Sequence, residues 1–311
     1  MITPHPSRPT EPSIDARQPA TVTRALFEAA RPHQAVKNLL VFLPLFASHR
    51  YGDMGLLRQC ILAFVALSFA AAATYLINDL MDVAADQAHP RKRLRAIASG
   101  RVTRGQAITL AAALVVLAAG VCVFLPPVFS GLLGIYVLTT LGYSFGLKRM
   151  VILDVLIIAG LFTLRVLAGG AATGIMPSFW LLAFCLFLFL SIALVKRVTE
   201  LHMLSAKGNV APLGRGYRVD DLPALTAMGI ASGFVAVLIV ALYVNSPEIR
   251  TLYRTPEMIW LICPIGLFII ARLWLLAHRG EVEDDPVLFA LRDHTSQAAV
   301  VLAAMIAVGA R

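Results

Sequence analysis

Long runs of apolar residues recur along this chain, and each is close to the length that an α-helix needs to cross a bilayer. The run from Cys60 to Ile77, for example, contains no charged residue. Hydrophobic residues make up 59% of the 311 residues and charged residues only 14%, whereas a soluble domain carries about 25% charged residues. These proportions exclude an ordinary soluble domain and predict an all-α integral membrane protein.

Nine apolar segments predict nine transmembrane helices. They lie near residues 35–48, 59–78, 106–124, 128–146, 151–173, 177–196, 222–245, 256–277 and 287–310. Residues 1–24 are polar and contain five prolines, which predicts a disordered cytoplasmic tail and no cleavable signal peptide. A short amphipathic helix is predicted over Thr23–Ala30. We expect residues 25–311 to form a single transmembrane domain.

The distribution of Lys and Arg predicts the orientation of these helices. With the N-terminus in the cytoplasm, twenty Lys and Arg residues lie on the inner side and five on the outer side, as the positive-inside rule requires. The same bias explains the net charge of +9 without a nucleic-acid partner. The chain is therefore predicted to be a multi-pass protein of the cell's inner (plasma) membrane, in contact with membrane lipids. The sequence is also compatible with a homo-oligomer.

The polar stretch over residues 78–100, NDLMDVAADQAHPRKRLRAIASG, follows the second predicted span. Asp79, Asp82 and Asp86 have a spacing that places them within about 60° on one face of an α-helix. A basic cluster follows at once: Arg91, Lys92, Arg93 and Arg95. Carboxylates bind Mg²⁺, and Arg and Lys bind phosphate. The stretch predicts a magnesium–phosphate site on the cytoplasmic side, with a solvated helix end and a lipid-headgroup anchor as alternatives.

The same stretch and two further motifs resemble the UbiA superfamily of intramembrane prenyltransferases. NDxxDxxxD followed by HPxKxxRxIASG resembles the first signature of that family. Residues 31–38, RPHQAVKN, resemble its motif before the first span, and Tyr143-Ser144-Phe145 with Lys148 and Asp154 resembles its loop between spans 4 and 5. The resemblance implies nine helices around a central cavity that is open to the membrane for a polyprenyl chain. A polar chamber holding magnesium and diphosphate would cap that cavity.

The resemblance also implies roles for individual residues. The metal ligands would be Asn78, Asp79, Asp82 and Asp86, and these acids with Lys37 would form the catalytic set. Substrate phosphates would contact Asn38, Asn78, Arg91, Lys92, Arg93, Arg95, Tyr143, Lys148, Asp154, Arg165, Lys196, Arg197 and Glu200. The implied cofactor is Mg²⁺. The implied partners are a polyprenyl phosphate or diphosphate lipid and a phosphorylated small-molecule co-substrate.

One departure from the family pattern bears on the substrate. After the sixth span the chain reads KRVTELH over residues 196–202, with Glu200 as its one acid, where typical members carry a second aspartate-rich motif. This version resembles the branch that transfers phosphoribose onto decaprenyl phosphate for cell wall biosynthesis. We therefore predict transfer of 5-phosphoribose from phosphoribosyl pyrophosphate to a polyprenyl phosphate. The alternatives are prenyl transfer to an aromatic or quinone-type acceptor, a silent lipid-binding protein and, more distantly, a transporter.

Two further features leave two interpretations each, and a group of glycines leaves one. Arg165 lies inside the fifth predicted span and either lines the cavity or forms a structural hydrogen bond between helices. Asp285 directly precedes Pro286, which predicts a helix start, with a role in the site as the alternative. Glycines in and after the same fifth span indicate close helix packing: Gly160, Gly169, Gly170 and Gly174.

Overall fold

The described part of the chain folds into helices and connecting loops in a computed structural model. The structure describes residues 22–88, 92–205, 216–282 and 285–311. The predicted disordered tail lies outside these residues except for its last three, which belong to the first helix. The predicted all-α membrane fold is confirmed.

Twelve α-helices are numbered in chain order within the described residues. They are α1 (Val22–Ala30), α2 (Leu43–Ala47), α3 (Met54–Met81), α4 (Val83–Ala88), α5 (Arg104–Cys122), α6 (Pro127–Phe145), α7 (Leu153–Thr173), α8 (Phe179–Ser205), α9 (Leu222–Val244), α10 (Ile262–His278), α11 (Pro286–Arg292) and α12 (His294–Gly309). Helices of the 3-10 type cover Pro32–Phe42, Lys92–Leu94, Leu147–Arg149, Val219–Asp221, Pro247–Thr251 and Pro256–Leu261. α1 matches the predicted amphipathic helix.

Seven of the helical segments in the described residues are long and apolar enough to cross a membrane. They are α3, α5, α6, α7, α8, and the α9 and α10 helices with the 3-10 turns that lead into them. These seven correspond to the second through eighth predicted spans. Their agreement follows from the apolar runs themselves, because a helix satisfies its backbone hydrogen bonds within the segment.

The first and last predicted spans are interrupted. The first consists of the 3-10 helix Pro32–Phe42 and the short α2, and Pro44 removes a backbone donor at their junction. The last is divided into α11 and α12 at Asp293, whose carboxylate accepts a hydrogen bond from the backbone N of Ser296 at 2.8 Å. The count of nine spans and the side of the N-terminus stay predictions.

Five apolar clusters hold the described helices together, and two of them are the largest. One joins α3, α6, α7 and the 3-10 helix Pro32–Phe42, and the other joins α8, α9 and α10. Small residues allow the closest approaches: a Cβ atom on Gly169 would lie 2.0 Å from the carbonyl oxygen of Val41. Gly170 is similarly close to Ile175, whereas Gly160 has open space around it. The prediction of close packing therefore holds at Gly169 and Gly170 and is wrong at Gly160 and Gly174, both of which have open space around them.

One set of helix ends carries most of the buried charge, and we call it the polar end. It includes the C-terminal ends of α3 and α8 and the N-terminal ends of α7 and α11. Lys148, just before α7, contacts Asp82 after α3 at 3.2 Å, and Lys37 contacts Asp285 before α11 at 2.6 Å. The polar end thus brings the beginning and the end of the described chain together.

The other set of ends, which we call the opposite end, is also joined by contacts between early and late residues. The ring of His49 packs edge-on against Tyr253, with centroids 4.9 Å apart. Arg311 Nη1 donates a hydrogen bond to the hydroxyl of Tyr51 at 2.7 Å. Early and late segments therefore meet at both ends of the bundle.

The contact at Gly169 predicts a large effect of a single methyl group. Gly169→Ala would drive a Cβ into a backbone carbonyl that cannot rotate away, so we expect a loss of stability of about 3 kcal/mol. The matched control is Gly160→Ala in the same helix, which has open space and should unfold near the wild-type temperature. Thermal unfolding in detergent measures both variants, and equal unfolding temperatures would contradict the packing described here.

Candidate functional site

The acid motif begins at the end of α3 and continues into α4. The predicted single helix is broken at Asp82, because α3 ends at Met81 and α4 begins at Val83. The hydrogen-bond register continues across the junction: Asp82 N donates to Asn78 O at 3.0 Å, and Asp86 N donates to Asp82 O at 2.8 Å. The spacing read from the sequence is therefore kept although the helix is not continuous.

Asp79 and Asp86 are buried and share one cation. They are 4% and 3% exposed. Arg31 Nη2 donates to both carboxylate oxygens of Asp79 at 2.7 Å. Arg95 Nη1 donates to Asp79 at 3.2 Å and to Asp86 at 2.6 Å. A single guanidinium nitrogen thus sits between the two carboxylates of the predicted motif.

The acid motif has the donor chemistry of a divalent cation site. No three His, Cys, Asp or Glu side chains of the described residues form a ready metal cluster. Cationic nitrogens lie against the acids instead, including Lys148 Nζ at 3.2 Å from Asp82. Carboxylate oxygens are the ligands that Mg²⁺ prefers, and Arg95 Nη1 already shows that one positive centre can contact Asp79 and Asp86 together. The residues fit magnesium once the cations turn away.

A second ionic group is centred on Lys37 and Asp285. Lys37 Nζ lies 2.6 Å from Asp285 Oδ2, while Oδ1 accepts from the backbone N of Val287 at 3.1 Å. The predicted helix start at Asp285 is confirmed, because Asp285 caps α11 with Pro286 at its first turn. Burial acts to raise the pKa of Asp285, but Lys37 outweighs burial and Lys196 adds to its effect, so the pKa lies below its ordinary value. Asp285 is therefore ionised at neutral pH.

A third ionic group joins α7 and α8. Asp154 is fully buried at 0% exposure and lies 2.9 Å from Arg197 Nε. Arg197 also pairs with Glu200 one turn further along α8. Both acids therefore compensate a guanidinium that is itself 1% exposed, which is what a charge inside a membrane protein requires.

Tyr217 holds this third group to a strained turn. Its hydroxyl donates to Asp154 and accepts from the backbone N of Ile152 at 2.9 Å. Burial raises the pKa of Tyr217, and the Asp154 carboxylate adds to this, so the hydroxyl keeps its proton for donation. Ile152 has φ +66° and ψ −44°, a conformation that β-branched residues rarely adopt. The strain is balanced by the contacts of Tyr217.

Arg165 forms hydrogen bonds between helices, which is the second of its two interpretations. It is 5% exposed; Nε donates to Asn38 Oδ1 at 2.9 Å and Nη2 to the hydroxyl of Tyr136 at 3.0 Å. Asn38 in turn donates to Ser68 Oγ at 3.1 Å. Among the residues the structure describes, Arg165 contacts no carboxylate. Its hydrogen bonds join the 3-10 helix Pro32–Phe42 to α6, α7 and α3.

The remaining predicted site residues are less enclosed. Lys92 and Arg93 are exposed on their 3-10 helix, while Asn78 and Tyr143 are half-buried at the ends of α3 and α6. Arg91 lies outside the described residues.

Three residues at the polar end were not among the predicted site residues. Arg31 belongs to the RPHQAVKN motif, which was its one signal, and its φ of +52° is unusual for a residue with a side chain. Asp285 was interpreted first as a helix cap. Tyr217 belongs to the sequence GRGYR over residues 214–218, which favours a flexible or solvated loop but gives the tyrosine no role of its own.

Comparison with known proteins identifies relatives of this chain. Residues 39–209 match the UbiA prenyltransferase family. Nodulation protein NoeC of Azorhizobium caulinodans is 31% identical over 86% of this chain and 87% of that protein. Decaprenyl-phosphate phosphoribosyltransferase of Mycobacterium tuberculosis is 38% identical over 63% of this chain and 66% of that protein.

Two further likenesses concern length and fold. An uncharacterised protein of Sinorhizobium fredii is 39% identical over 86% of this chain, and the chain spans about half (52%) of that relative. The structure of a UbiA homologue from Archaeoglobus fulgidus bound to GPP and Mg²⁺ superposes with a TM-score of 0.66. It covers 91% of this chain and 97% of that chain at 14% identity, so this likeness shows the fold.

The contacts of Tyr217 predict the effect of removing its hydroxyl. Tyr217→Phe leaves a buried carboxylate and a backbone N–H each without one partner, and we expect a loss of about 2 kcal/mol in the free energy of unfolding. The control is Tyr51→Phe, since Tyr51 is 42% exposed and its hydroxyl contacts Arg311 near solvent. Unfolding in mixed detergent micelles compares the two. Equal losses of stability in the two variants would show that the Tyr217–Asp154 hydrogen bond contributes no more than the exposed contact of Tyr51.

Proposed function

The chain belongs to the UbiA prenyltransferase family, and from this premise we propose that it transfers 5-phosphoribose from phosphoribosyl pyrophosphate to a polyprenyl phosphate, releasing diphosphate. The reaction would require Mg²⁺. The main support for the proposal is the basic character of α8 at the polar end. Lys196 and Arg197 lie there, and the one acid, Glu200, is paired with Arg197. The 38% identity to a decaprenyl-phosphate phosphoribosyltransferase supports the same substrate pair.

Two of the three ionic groups at the polar end, the acid motif and the group centred on Lys37 and Asp285, suit substrates that arrive from water and from the membrane respectively. Asp79 lies twenty-five residues from the first residue of α3, or about 38 Å along its axis, and Lys196 lies seventeen residues from the first residue of α8, about 26 Å. Counted from the other ends of these helices, Asp79 lies two residues before the end of α3 and Lys196 nine residues before the end of α8, so Lys196 lies further from the end of its helix. A soluble diphosphate would meet the acid motif first, and a phosphate on a membrane-embedded chain would meet Lys37 and Lys196.

At the acid motif the residues would exchange partners when substrate binds. Asp79, Asp82 and Asp86 would hold magnesium, with Asn78 beside them. Arg31, Arg95 and Lys148, released from the carboxylates, would turn to the diphosphate oxygens. Magnesium, when bound, would supply charge neutralisation for the departing diphosphate. Arg95 and Lys148 would stabilise the same developing charge through hydrogen bonds aimed at the leaving oxygens.

The acceptor half of the reaction needs little more than positioning. An oxygen of the polyprenyl phosphate would form a bond to ribosyl C1, while the bond from C1 to the diphosphate oxygen breaks and diphosphate leaves with the electron pair. The acceptor is already an anion, so no general base is required. Lys37 and Lys196 would orient the acceptor phosphate against C1. Holding the two reactants in this geometry would raise their effective concentration and so accelerate the transfer.

We also propose that the polar end faces the cytoplasm. The twenty Lys and Arg residues on that side against five on the other favour this orientation. Phosphoribosyl pyrophosphate is a soluble, highly charged molecule, and a site open to the cytoplasm would receive it without crossing the bilayer.

A second function rests on one specific observation. The Archaeoglobus fulgidus homologue with the same fold is bound to GPP and Mg²⁺, so a prenyl diphosphate could occupy the acid motif and an aromatic compound could be the acceptor. That reaction needs removal of a ring proton after transfer. The polar end is rich in cations that are poor bases at neutral pH, which favours the first proposal.

Paired assays would separate these functions. Purified protein with Mg²⁺ should convert phosphoribosyl pyrophosphate and decaprenyl phosphate to phosphoribosyl lipid and diphosphate. The parallel reaction with a polyprenyl diphosphate and 4-hydroxybenzoate should give no product above the protein-free control. Product in the second reaction and none in the first would overturn the proposed substrate and support prenyl transfer.

The acid motif is tested by removing one charge. Asp82→Asn keeps the size of the side chain but removes a proposed metal ligand, and we expect turnover to fall at least about a hundredfold. Asp53→Asn is the matched control, because Asp53 caps α3 at the opposite end and Asn caps helices equally well. Turnover is measured as diphosphate release at saturating Mg²⁺. Wild-type turnover by the Asp82 variant would remove this residue from the proposed site.

A further inference from the structure

The opposite end of the bundle contains an apolar cavity of about 250 Å³. Its walls come from α2, the turn between α7 and α8, α8, α9 and the loop after α9. Aromatic rings form much of its lining: Phe184, Trp180, Tyr243 and Tyr253. None of the described residues that line this cavity has a charged side chain. The cavity therefore suits a hydrocarbon chain and does not suit a phosphate.

A second, more open cavity of about 690 Å³ at the same end has the reverse character. Arg250, Arg254, Arg311 and His49 line it, and no carboxylate side chain does. Arg250 and Arg254 form no ion pair with any carboxylate of the described residues. Glu248 lies on the same 3-10 helix as Arg250 but is not part of the lining. The charged side chains that line this cavity are therefore positive, and the nearest carboxylate on that helix, Glu248, contacts Trp180 beside it.

The two cavities adjoin each other. Ser48, Leu252 and Tyr253 line both of them, so the basic cavity opens next to the mouth of the apolar one. Together they present a cationic compartment beside a hydrocarbon compartment. That combination matches an amphiphile with an anionic head and an apolar chain.

The walls of the basic cavity are held in place by the backbone. Arg254 N and Thr255 N both donate to the carbonyl oxygen of Ala310 at 3.0 Å, which fixes the loop after α9 to the end of α12. His49 has φ +56° and packs against Tyr253. These contacts hold the backbone of Arg254 and the ring of Tyr253 in place before any ligand arrives, which lowers the entropy cost of binding.

The concentration of arginine at this end runs against the charge bias of the chain. In the predicted orientation the outer side carries only five Lys and Arg residues, and three of them line this single cavity. Random placement of a few basic residues would not bring most of them to one cavity that also borders an apolar one. Guanidinium groups donate hydrogen bonds to phosphate oxygens, so the lining suits a phosphate group.

We propose that these adjoining cavities form a binding site for a phosphate-bearing anionic lipid, separate from the acid motif. The guanidinium groups of Arg250, Arg254 and Arg311 bind the phosphate, and one apolar chain enters the cavity beside Trp180. The site lies at the other end of the helices from the polar end and does not depend on the reaction proposed above.

Trp180 provides a direct test, because it lines the apolar cavity. In a Trp260→Phe background, which removes the lipid-exposed indole, the protein in neutral detergent is titrated with brominated phosphatidylglycerol or with brominated phosphatidylcholine. Bromine quenches an indole only in contact. We expect phosphatidylglycerol to reach half-maximal quenching at a mole fraction at least five times lower than phosphatidylcholine. Adding Trp180→Phe should abolish that difference, and equal curves for the two lipids would overturn the proposal.

Arginine variants test whether the basic cavity binds the lipid phosphate. Arg250→Gln with Arg254→Gln should reduce the fivefold preference to less than twofold, and the corresponding Lys pair should retain it, which separates charge from misfolding. Arg50→Gln is the matched control, since Arg50 lies at the same end but outside the lining. A similar loss in the Arg50 variant would mean unspecific surface attraction and would contradict the site.

Filling the apolar compartment is the complementary test. Ala47 lines that cavity, so Ala47→Phe should reduce the maximum quenching by both lipids, whereas Ala112→Phe on the exposed face of α5 should not. Unchanged quenching in the Ala47 variant would overturn the chain assignment. Inorganic phosphate at the molar concentration of the lipid should displace less than a tenth of it. Full displacement would assign the basic cavity to free phosphate and overturn the lipid proposal.

Discussion

The pairing of each buried carboxylate at the polar end with a cation from a different segment is the constraint on which the rest of this fold depends. An unpaired charge costs several kcal/mol in a low-dielectric interior, so the segments that carry Asp79, Asp154 and Asp285 can pack only where a partner reaches them. The partners Arg31, Arg197 and Lys37 come from a loop, a long helix and a 3-10 helix. Electrostatic compensation therefore decides which segments meet, and the apolar clusters then fill the space between them.

Much of this arrangement could be read from the sequence, for physical reasons that differ between its parts. The seven long helices follow from apolar runs, because length and hydropathy alone decide them. The acid motif follows from local spacing, which survives the break at Asp82. The interruptions in the first and last spans depend on how Pro44 and Asp293 satisfy backbone groups, which hydropathy does not encode. The contacts of Tyr217 and Asp285 join residues far apart in the chain, and no local pattern contains them.

The ion pairs of the polar end also set the terms on which a phosphorylated substrate can bind. In this structure the cations already face the acids, so the binding proposed above would exchange one set of charge contacts for another. Such an exchange would limit the desolvation cost, because Arg95 and Lys148 would each keep an anionic partner. It would also favour charged ligands, since a neutral ligand would separate these pairs without replacing them.

The contact between Lys37 and Asp285 joins residues 248 positions apart, and this separation has a consequence for biosynthesis. At ordinary rates of translation, roughly 10–50 s pass between the synthesis of these two residues. Until then Lys37 has entered the assembling bundle without its carboxylate. The polar end is therefore completed only after Asp285 has been synthesised, and a nascent chain halted before that residue would leave Lys37 without this carboxylate.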